Sequence, residues 1–203
     1  MARTPSIPDS CNVLLIGNGG REHALAWKLC QSPRLGKLFA SAPTNAGIAS
    51  IAQLCDLEFT SKNAFRINSW CNENNIHFII IGPEAPLADG LSDALRTPSR
   101  IVFGPTKEAA RIEFDKAFSK TLMRSAAIPT AEARQFSDYE SAHNYVSAHE
   151  EPCVVKASGL AAGKGAIVCN TQAEALAAIE RMFVKREFGN AADTVLIEEK
   201  LQG

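Results

Sequence analysis

Long hydrophobic runs are missing from this chain. No apolar stretch approaches the ~20 residues a helix needs to span a bilayer. The opening MARTPSIPDS holds no long hydrophobic segment, so no secretory signal is expected, and residues 1–10 read as a flexible polar lead. Excess charge is missing too. Lys+Arg total 21 and Asp+Glu 22, a net charge of -1, which argues against a broad nucleic-acid surface but leaves room for a local phosphate pocket. None of the six cysteines forms a C-x-x-C pair, and most sit inside apolar patterns. They read as reduced core thiols of a cytoplasmic chain, neither a disulfide framework nor a zinc site. Repeats and low-complexity tracts are absent. What is present is ordinary globular composition: 203 residues, 46% hydrophobic and 21% charged, enough for one large or two small domains.

The first half alternates strand and helix. Residues 12–16 (NVLLI) form a short apolar strand that runs into Gly17-Asn18-Gly19-Gly20, and a helix follows to about Gln31. Residues 37–41 give a weaker strand. Ala64, Ile67, Trp70 and Cys71 fall at helical spacing. Residues 77–81 (HFIII) give a third strand, ending at Gly82-Pro83. Leu87, Leu91 and Leu95 suggest one further helix, and residues 100–103 another strand, ending at Gly104-Pro105. This pattern predicts a doubly wound parallel sheet, whose ligands bind at the carboxyl ends of the strands. GNGGRE, GPEAPLA and FGPT all stand at such ends.

From Thr106 the pattern changes. One long helix is expected to about Ser125, closed by Ile128-Pro129. Ser137 and Thr171 open capping boxes, SDYE and TQAE. The helix from Thr171 carries Ala175, Leu176, Ile179 and Met182 on one side. Between these helices lies VVKASGLAAGKGAIV, residues 154–168, and the last strand is Val195–Glu199.

That glycine stretch is not the P-loop G-x-x-x-x-G-K-[ST]. Gly159 to Gly163 is one residue too short, and Gly165 follows Lys164 where a hydroxyl is required. A strand, not a helix, follows the lysine, so no helix N-terminus receives a phosphate. Strand, glycine loop, strand describes a flap able to fold over a triphosphate, its N–H groups and Lys164 facing the phosphates, with Lys156 on the incoming strand. The competing reading is a flexible hairpin with solvent-exposed lysines. GNGGREH departs likewise from the dinucleotide fingerprint. Glu22 stands where the third glycine belongs, and no acid near Ala40-Ser41 awaits a ribose hydroxyl. Both facts speak against an NAD-dependent oxidoreductase. What remains is a glycine loop ahead of a helix N-terminus with Arg21 beside it, suited to one phosphate or a phosphorylated sugar. The bland alternative is a turn needed only for packing. His23 reads as a helix-surface residue.

Taken together, VLLIGNGGREHALAWKL, IIIGPEAPLADGL, FGPTKEAA, AAIPTA, VVKASGLAAGKGAIV and VLIEEKL resemble the phosphoribosylamine–glycine ligase (glycinamide ribonucleotide synthetase) family of ATP-grasp enzymes, from Asn12 onward. The resemblance implies a purine-biosynthetic ligase with three small-molecule substrates: ATP, glycine and 5-phosphoribosylamine. ATP phosphorylates glycine's carboxylate, and the sugar amine attacks the acyl phosphate. It implies a phosphoribosylamine-binding α/β domain over residues 11–107, then the first, incomplete part of an ATP-grasp domain over 108–203, with a lid at about 126–194. Carried over to this sequence, Gly19, Gly20, Arg21 and Glu22 hold the sugar phosphate end, and Asn45, Ala46, Gly47, Pro83 and Glu84 line the same pocket. Lys116 and Lys156 contact the ATP phosphates. Ser158, Gly159, Leu160, Ala161, Ala162, Gly163, Lys164 and Gly165 form the flap, and Glu198, Glu199 and Leu201, with Lys200 between them, hold adenine through backbone groups in the manner of an edge-strand hinge. Mg²⁺ or Mn²⁺ serves the family, but no metal ligand and no catalytic residue is assigned in this chain.

Two residues depart from the family pattern. Thr44 stands where P-G-N-A-G has glycine, and would be strained if φ there is positive. Asp115 replaces a serine before Lys116, unhelpful near phosphates unless it faces away. The family also continues well past residue 203, through the metal ligands and much of the glycine site. The chain alone is therefore expected not to complete the reaction, and the Val195–Glu199 strand is expected to lack sheet neighbours. The alternative to a ligase portion is a non-catalytic phosphosugar- or nucleotide-binding module, which would bind without glycine-dependent turnover.

Overall fold

The computed structural model describes residues 8–41, 44–161 and 163–202. The chain divides into two compact units, Met1–Ala110 and Arg111–Gly203, each with its own sheet.

In the first unit, β1 (Cys11–Ile16), β2 (Leu35–Ala40), β3 (Gln53–Leu54), β4 (Ile76–Ile81) and β5 (Ile101–Phe103) form a parallel sheet in the order β3-β2-β1-β4-β5. α1 (Gly20–Leu29), α2 (Ala46–Ala49), α3 (Ala64–Glu73), α4 (Glu84–Asp89) and α5 (Leu91–Leu95) connect the strands. The alternation of β1 explains its two-sided burial. Leu14 and Ile16 face a cluster with Ile67, Cys71, Ile79 and Leu91, while Val13 and Leu15 face Ala26, Leu38 and Ile48. Leu14 and Leu15 are wholly buried, and each such side chain contributes about 2 kcal/mol over leaving it in water. The chain order reverses between β1 and β4, the switch point where open sheets of this kind bind ligands.

In the second unit, β6 (Ala133–Phe136), β7 (Cys153–Ala157), β8 (Ala166–Cys169) and β9 (Val195–Glu199) form an antiparallel sheet in the order β6-β9-β7-β8. α8 (Tyr139–Ser147) and α9 (Gln172–Phe183) cover one face, where Val146, Ile179 and Met182 meet Val155, Val195 and Ile197.

The structure corrects several expectations. The Val195–Glu199 strand is no orphan: β9 is interior, paired with both β6 and β7. It gains its second neighbour from β6, a short strand whose polar ARQF gives no apolar signal; the two-residue β3 is equally silent. The expected helix of residues 106–125 is two, α6 (Lys107–Phe114) and α7 (Lys116–Ser125). They part at Asp115, whose extended backbone and side-chain bond to the Phe118 amide (3.0 Å) cap a new helix. Leu87, Leu91 and Leu95 do not share one helix, because Gly90 adopts φ 88° and ends α4. The cap of α8 is Asp138 rather than Ser137: its carboxylate accepts from Ser141 N–H at 2.8 Å. Thr171 caps α9 as expected. No described helix is long and apolar enough to cross a membrane.

Candidate functional site

At the switch point of the first unit, β1 ends in Gly17 and β4 in Gly82, and a single carboxylate fills the space between them. Glu22 lies in the first turn of α1, only 3% exposed. Its Oε2 accepts from Gly19 N–H at 2.7 Å and its Oε1 from Arg21 Nε at 3.0 Å. A Cβ on Gly17 would stand 2.5 Å from Glu22 Cγ, and one on Gly82 2.2 Å from Glu22 Oε1. These two glycines therefore exist to admit Glu22. Glu22 sits beneath the loop, as a brace for its backbone.

Asn45 ties the neighbouring loop in. Its Oδ1 accepts from Ile48 N–H at 3.1 Å, capping α2, while its Nδ2 donates to the carbonyls of Asn18 and Gly19 at 3.1 and 3.3 Å. Thr44 accepts from Asn18. The described non-glycine residues with positive φ are Asn75, Ala127 and Arg186, so Thr44 carries none of the strain considered for it; Ala42 and Pro43, before it, lie outside the described residues. Gly47 packs under His23, whose Cε1 would meet a Cβ there at 2.3 Å; Ala46 precedes it in α2. Pro83 leads into α4, and Glu84 reaches both guanidinium nitrogens of Arg21 at 3.4 Å. Arg21 thus spans Glu22 and Glu84, its guanidinium held more firmly protonated by the Glu22 bond first of all. Its side chain remains 57% exposed, in reach of an anion above the N–H groups of Gly20 and Arg21.

The second site gathers on the sheet face opposite α8 and α9, where α7 lies. Lys116 and Lys120, one helical turn apart on α7, meet Lys156 of β7 and Glu198 of β9 along an open cavity of about 710 Å³. Glu198 is only 4% exposed. Lys156 Nζ lies 2.6 Å from one of its oxygens and Lys120 Nζ 3.6 Å from the other. Lys120 also donates to Thr130 Oγ1 (2.8 Å) and the Ala131 carbonyl (2.7 Å). Sequence reasoning missed Lys120; its spacing of four from Lys116 was the available signal. Lys116 donates to the Gly159 carbonyl at 3.2 Å. Burial first, then the Lys156 charge, holds its ammonium below the usual lysine range, against the pull of Glu113, Glu198 and Asp115. Ile112, Met123, Val154, Val168 and Leu201 supply apolar walls in the same cavity, with Glu199 at its rim.

Asp115 does face away from the lysines. It accepts from Phe118 N–H and Ser158 Oγ (3.1 Å) and pairs with Arg111 at 3.2 Å. Burial pushes its carboxyl up, but those three partners outweigh burial and hold it below the ordinary range. Ser158 in turn accepts from Ala117 N–H at 2.9 Å, so it anchors the flap. Gly159 packs on Ala191 and Gly165 on Ala161, whereas Gly163, at φ 76°, has open space around it. Leu160 and Lys164 are exposed, and Ala162 lies outside the described residues. Among the described residues, the flap does not line the lysine cavity. The strand of the expected hinge, β9, is not an edge strand. Glu198 and Glu199 belong to an interior strand whose backbone is in the ladders, Glu199 N–H donating to the Glu132 carbonyl at 2.9 Å. Glu132 N–H donates to the Glu199 side-chain Oε1 at 2.9 Å.

With that geometry in place, the comparisons with known proteins decide the family. Residues 11–113 match the family described as phosphoribosylglycinamide synthetase, N domain, and residues 114–203 its ATP-grasp (A) domain. The chain belongs to the phosphoribosylglycinamide synthetase family. It is 47% identical over 191 residues to the phosphoribosylamine–glycine ligase of Neisseria meningitidis, covering 94% of this chain and 44% of that protein. It is 40% identical to a bifunctional purine biosynthetic protein of Dictyostelium discoideum, covering 95% of this chain and 23% of that one. The crystal structure of phosphoribosylamine–glycine ligase from Thermotoga maritima superposes with a TM-score of 0.74 at 26% identity, over 95% of this chain and 44% of that one. The chain thus spans less than half the length of these relatives. The synthetase family accounts for the fold: a parallel sheet in the N domain, then an antiparallel sheet within the ATP-grasp (A) domain.

Proposed function

We propose that the second unit of this synthetase chain binds ATP and the first a phosphorylated sugar amine, as steps of glycinamide ribonucleotide synthesis. The observation that carries the reading is the pair Lys116 and Lys156 beside apolar walls, in a cavity of nucleotide size. Burial first, and the neighbouring Lys156 charge second, hold the Lys116 ammonium below its ordinary range, and a polyphosphate offsets both. Glu198, itself held by Lys120, fixes the direction of Lys156. The flap, anchored by Ser158 and turning at Gly163, excludes water from above. In the first unit, the N–H groups of the braced loop and Arg21 take the sugar phosphate, and Glu22 shapes the loop without touching the ligand.

In the reaction so read, an oxygen of glycine's carboxylate takes the γ-phosphoryl group and ADP leaves. The sugar amine nitrogen then attacks the acyl carbon, phosphate leaves, and the amine's proton passes to solvent. These residues contribute positioning and charge neutralisation. They do not fit a divalent cation. Glu198 and Asp115 already face lysine and arginine, and no group of three or more metal-ligating side chains occurs among the described residues. No step here is assigned to a metal.

Calorimetric titration tests the assignment. ATP binding is expected to weaken roughly tenfold or more in Lys156→Met, with ribose 5-phosphate binding unchanged; Arg21→Ala is expected to do the reverse. ATP affinity indifferent to Lys156, or sugar-phosphate affinity indifferent to Arg21, overturns the corresponding site.

A further inference from the structure

Three of the cysteines have a plain reason to be inert. Burial pushes the thiols of Cys11, Cys55 and Cys71 up, to about 12 for Cys55 and about 11 for Cys71; Cys30 is exposed, its thiol 3.8 Å from the Ile51 carbonyl. Cys153 and Cys169 differ. They stand directly opposite each other in the β7–β8 hairpin. Ala157 N–H donates to the Gly165 carbonyl at 2.8 Å. Counting by two along both strands places Cys153 and Cys169 in a hydrogen-bonded pair, whose Cα atoms lie about 5.5 Å apart. That separation is within the range a disulfide spans. Both side chains point to the helix-covered face, with Val155 and Ile167.

Access is one-sided. Cys169 is fully buried, but Cys153 is half-buried and lines an open cavity of about 770 Å³ between β6, β9 and α8. Arg134 and His149 line the same cavity. The neighbouring Cys169 thiol, whose Sγ lies 3.5 Å from the Ile167 carbonyl, holds Cys153 below the usual thiol range, against its burial. The Cys153 side chain first, and burial second, push Cys169 up. One sulfur is therefore the exposed nucleophile and the other its covered resolving partner.

We propose that Cys153 and Cys169 are a reversible oxidation site, a cross-strand dithiol that a peroxide converts to a disulfide at the base of the flap hairpin. The Cys153 thiolate attacks one peroxide oxygen, the O–O bond breaks, and the departing hydroxide takes a proton to become water. The resulting sulfenic acid is attacked by the Cys169 sulfur. The S–S bond forms, the S–O bond breaks, and the hydroxyl leaves as water with the Cys169 proton. Two electrons pass from the two sulfurs to the peroxide. The product staples edge strand β8 to β7 and closes residues 153–169 into a ring that contains the flap. The chemistry does not depend on the ligase reading: ATP binding could fail and the bond still form.

The test is peptide mapping of the reduced 203-residue chain after brief hydrogen peroxide treatment and alkylation. Lysines 156 and 164 separate the two cysteines on tryptic cleavage, so a linked pair of peptides reports the bond. Loss of alkylatable Cys153 is expected roughly tenfold faster than loss of Cys71, with the link reversed by dithiothreitol. In Cys169→Ser, dimedone is expected to trap Cys153 as its sulfenic acid, which shows the order of events even without the bond. Peptides that stay unlinked while Cys30 is oxidised, or a Cys153 linked to Cys30 instead, overturn the proposal.

Discussion

The two glycine loops use one residue type for opposite ends. In the first unit, Gly17 and Gly82 are crowded by Glu22, and Gly47 by His23. Side-chain atoms occupy the room each Cβ would need, so the loop is fixed by what is packed against it. In the second unit, Gly163 touches nothing, and its role is a left-handed turn at φ 76°. Only the ends of that loop are packed, Gly159 on Ala191 and Gly165 on Ala161. On the function proposed above, one loop is a cradle packed from below, and the other a cover packed at its two ends. A phosphate cradle gains from preorganised N–H groups, and a flap gains from being able to move.

The largest effect should fall on the cradle. Gly17→Ala meets both a left-handed backbone (φ 133°) and a 2.5 Å clash, and is expected to cost about 3 kcal/mol. Both tryptophans, Trp27 and Trp70, lie in the first unit, so tryptophan fluorescence in urea follows this unit. Gly163→Ala should cost only about 1 kcal/mol and leave the tryptophan transition where it was. Equal costs for the two substitutions would erase the distinction between cradle and cover.

A middle-sized effect separates crowding from backbone strain. In a Glu22→Ala background the Glu22 clash is gone, while φ and a 2.9 Å approach to Pro83 Cδ remain, so the Gly17→Ala penalty should shrink by about 1–2 kcal/mol. The same double-mutant cycle on Gly82, which has no positive φ, should recover nearly its whole penalty. Strict additivity at both positions would mean that Glu22 does not set these glycines.

Much of this arrangement was legible beforehand, and the reasons are physical. β1 and β4 are continuous apolar runs because both faces are buried, and GNGGRE and GPEAPLA mark their carboxyl ends. The lysines at 116 and 156 stood out through their motifs. Local chemistry hid the breaks at Gly90 and Asp115, since a left-handed glycine and a capping carboxylate interrupt a periodicity that continues through them. β6 was hidden because ARQF owes its place to ladder bonds with β9, and without β6 the last strand looked unpartnered. The motif places Glu22 in the first glycine loop, and only its burial shows that its side chain faces inward. Lys120 shows in sequence only as a lysine four residues after Lys116, and its meaning comes from Glu198 meeting it in space.

The smallest effect tests whether the second site is built to expect an anion. Lys116 has a folded-state value below the ordinary 10.5, through burial first and the Lys156 charge second. As pH rises toward 10.5, the folded chain therefore releases this proton before the unfolded chain does. The unfolded state then binds more protons, and stability rises with pH across that window. Below it both states are protonated, and the cost of the buried charge is constant. Compared with Lys116→Met, the wild-type chain should gain stability over this alkaline window, by no more than about 0.5 kcal/mol given the solvent that reaches the site. The far-UV dichroism transition that tryptophan fluorescence does not follow is the readout. Saturating ATP should flatten the slope, because phosphates beside Lys116 restore its proton affinity. A slope that persists with ATP bound would place the nucleotide elsewhere, whereas one that vanishes ties the depressed ammonium to the phosphate it awaits.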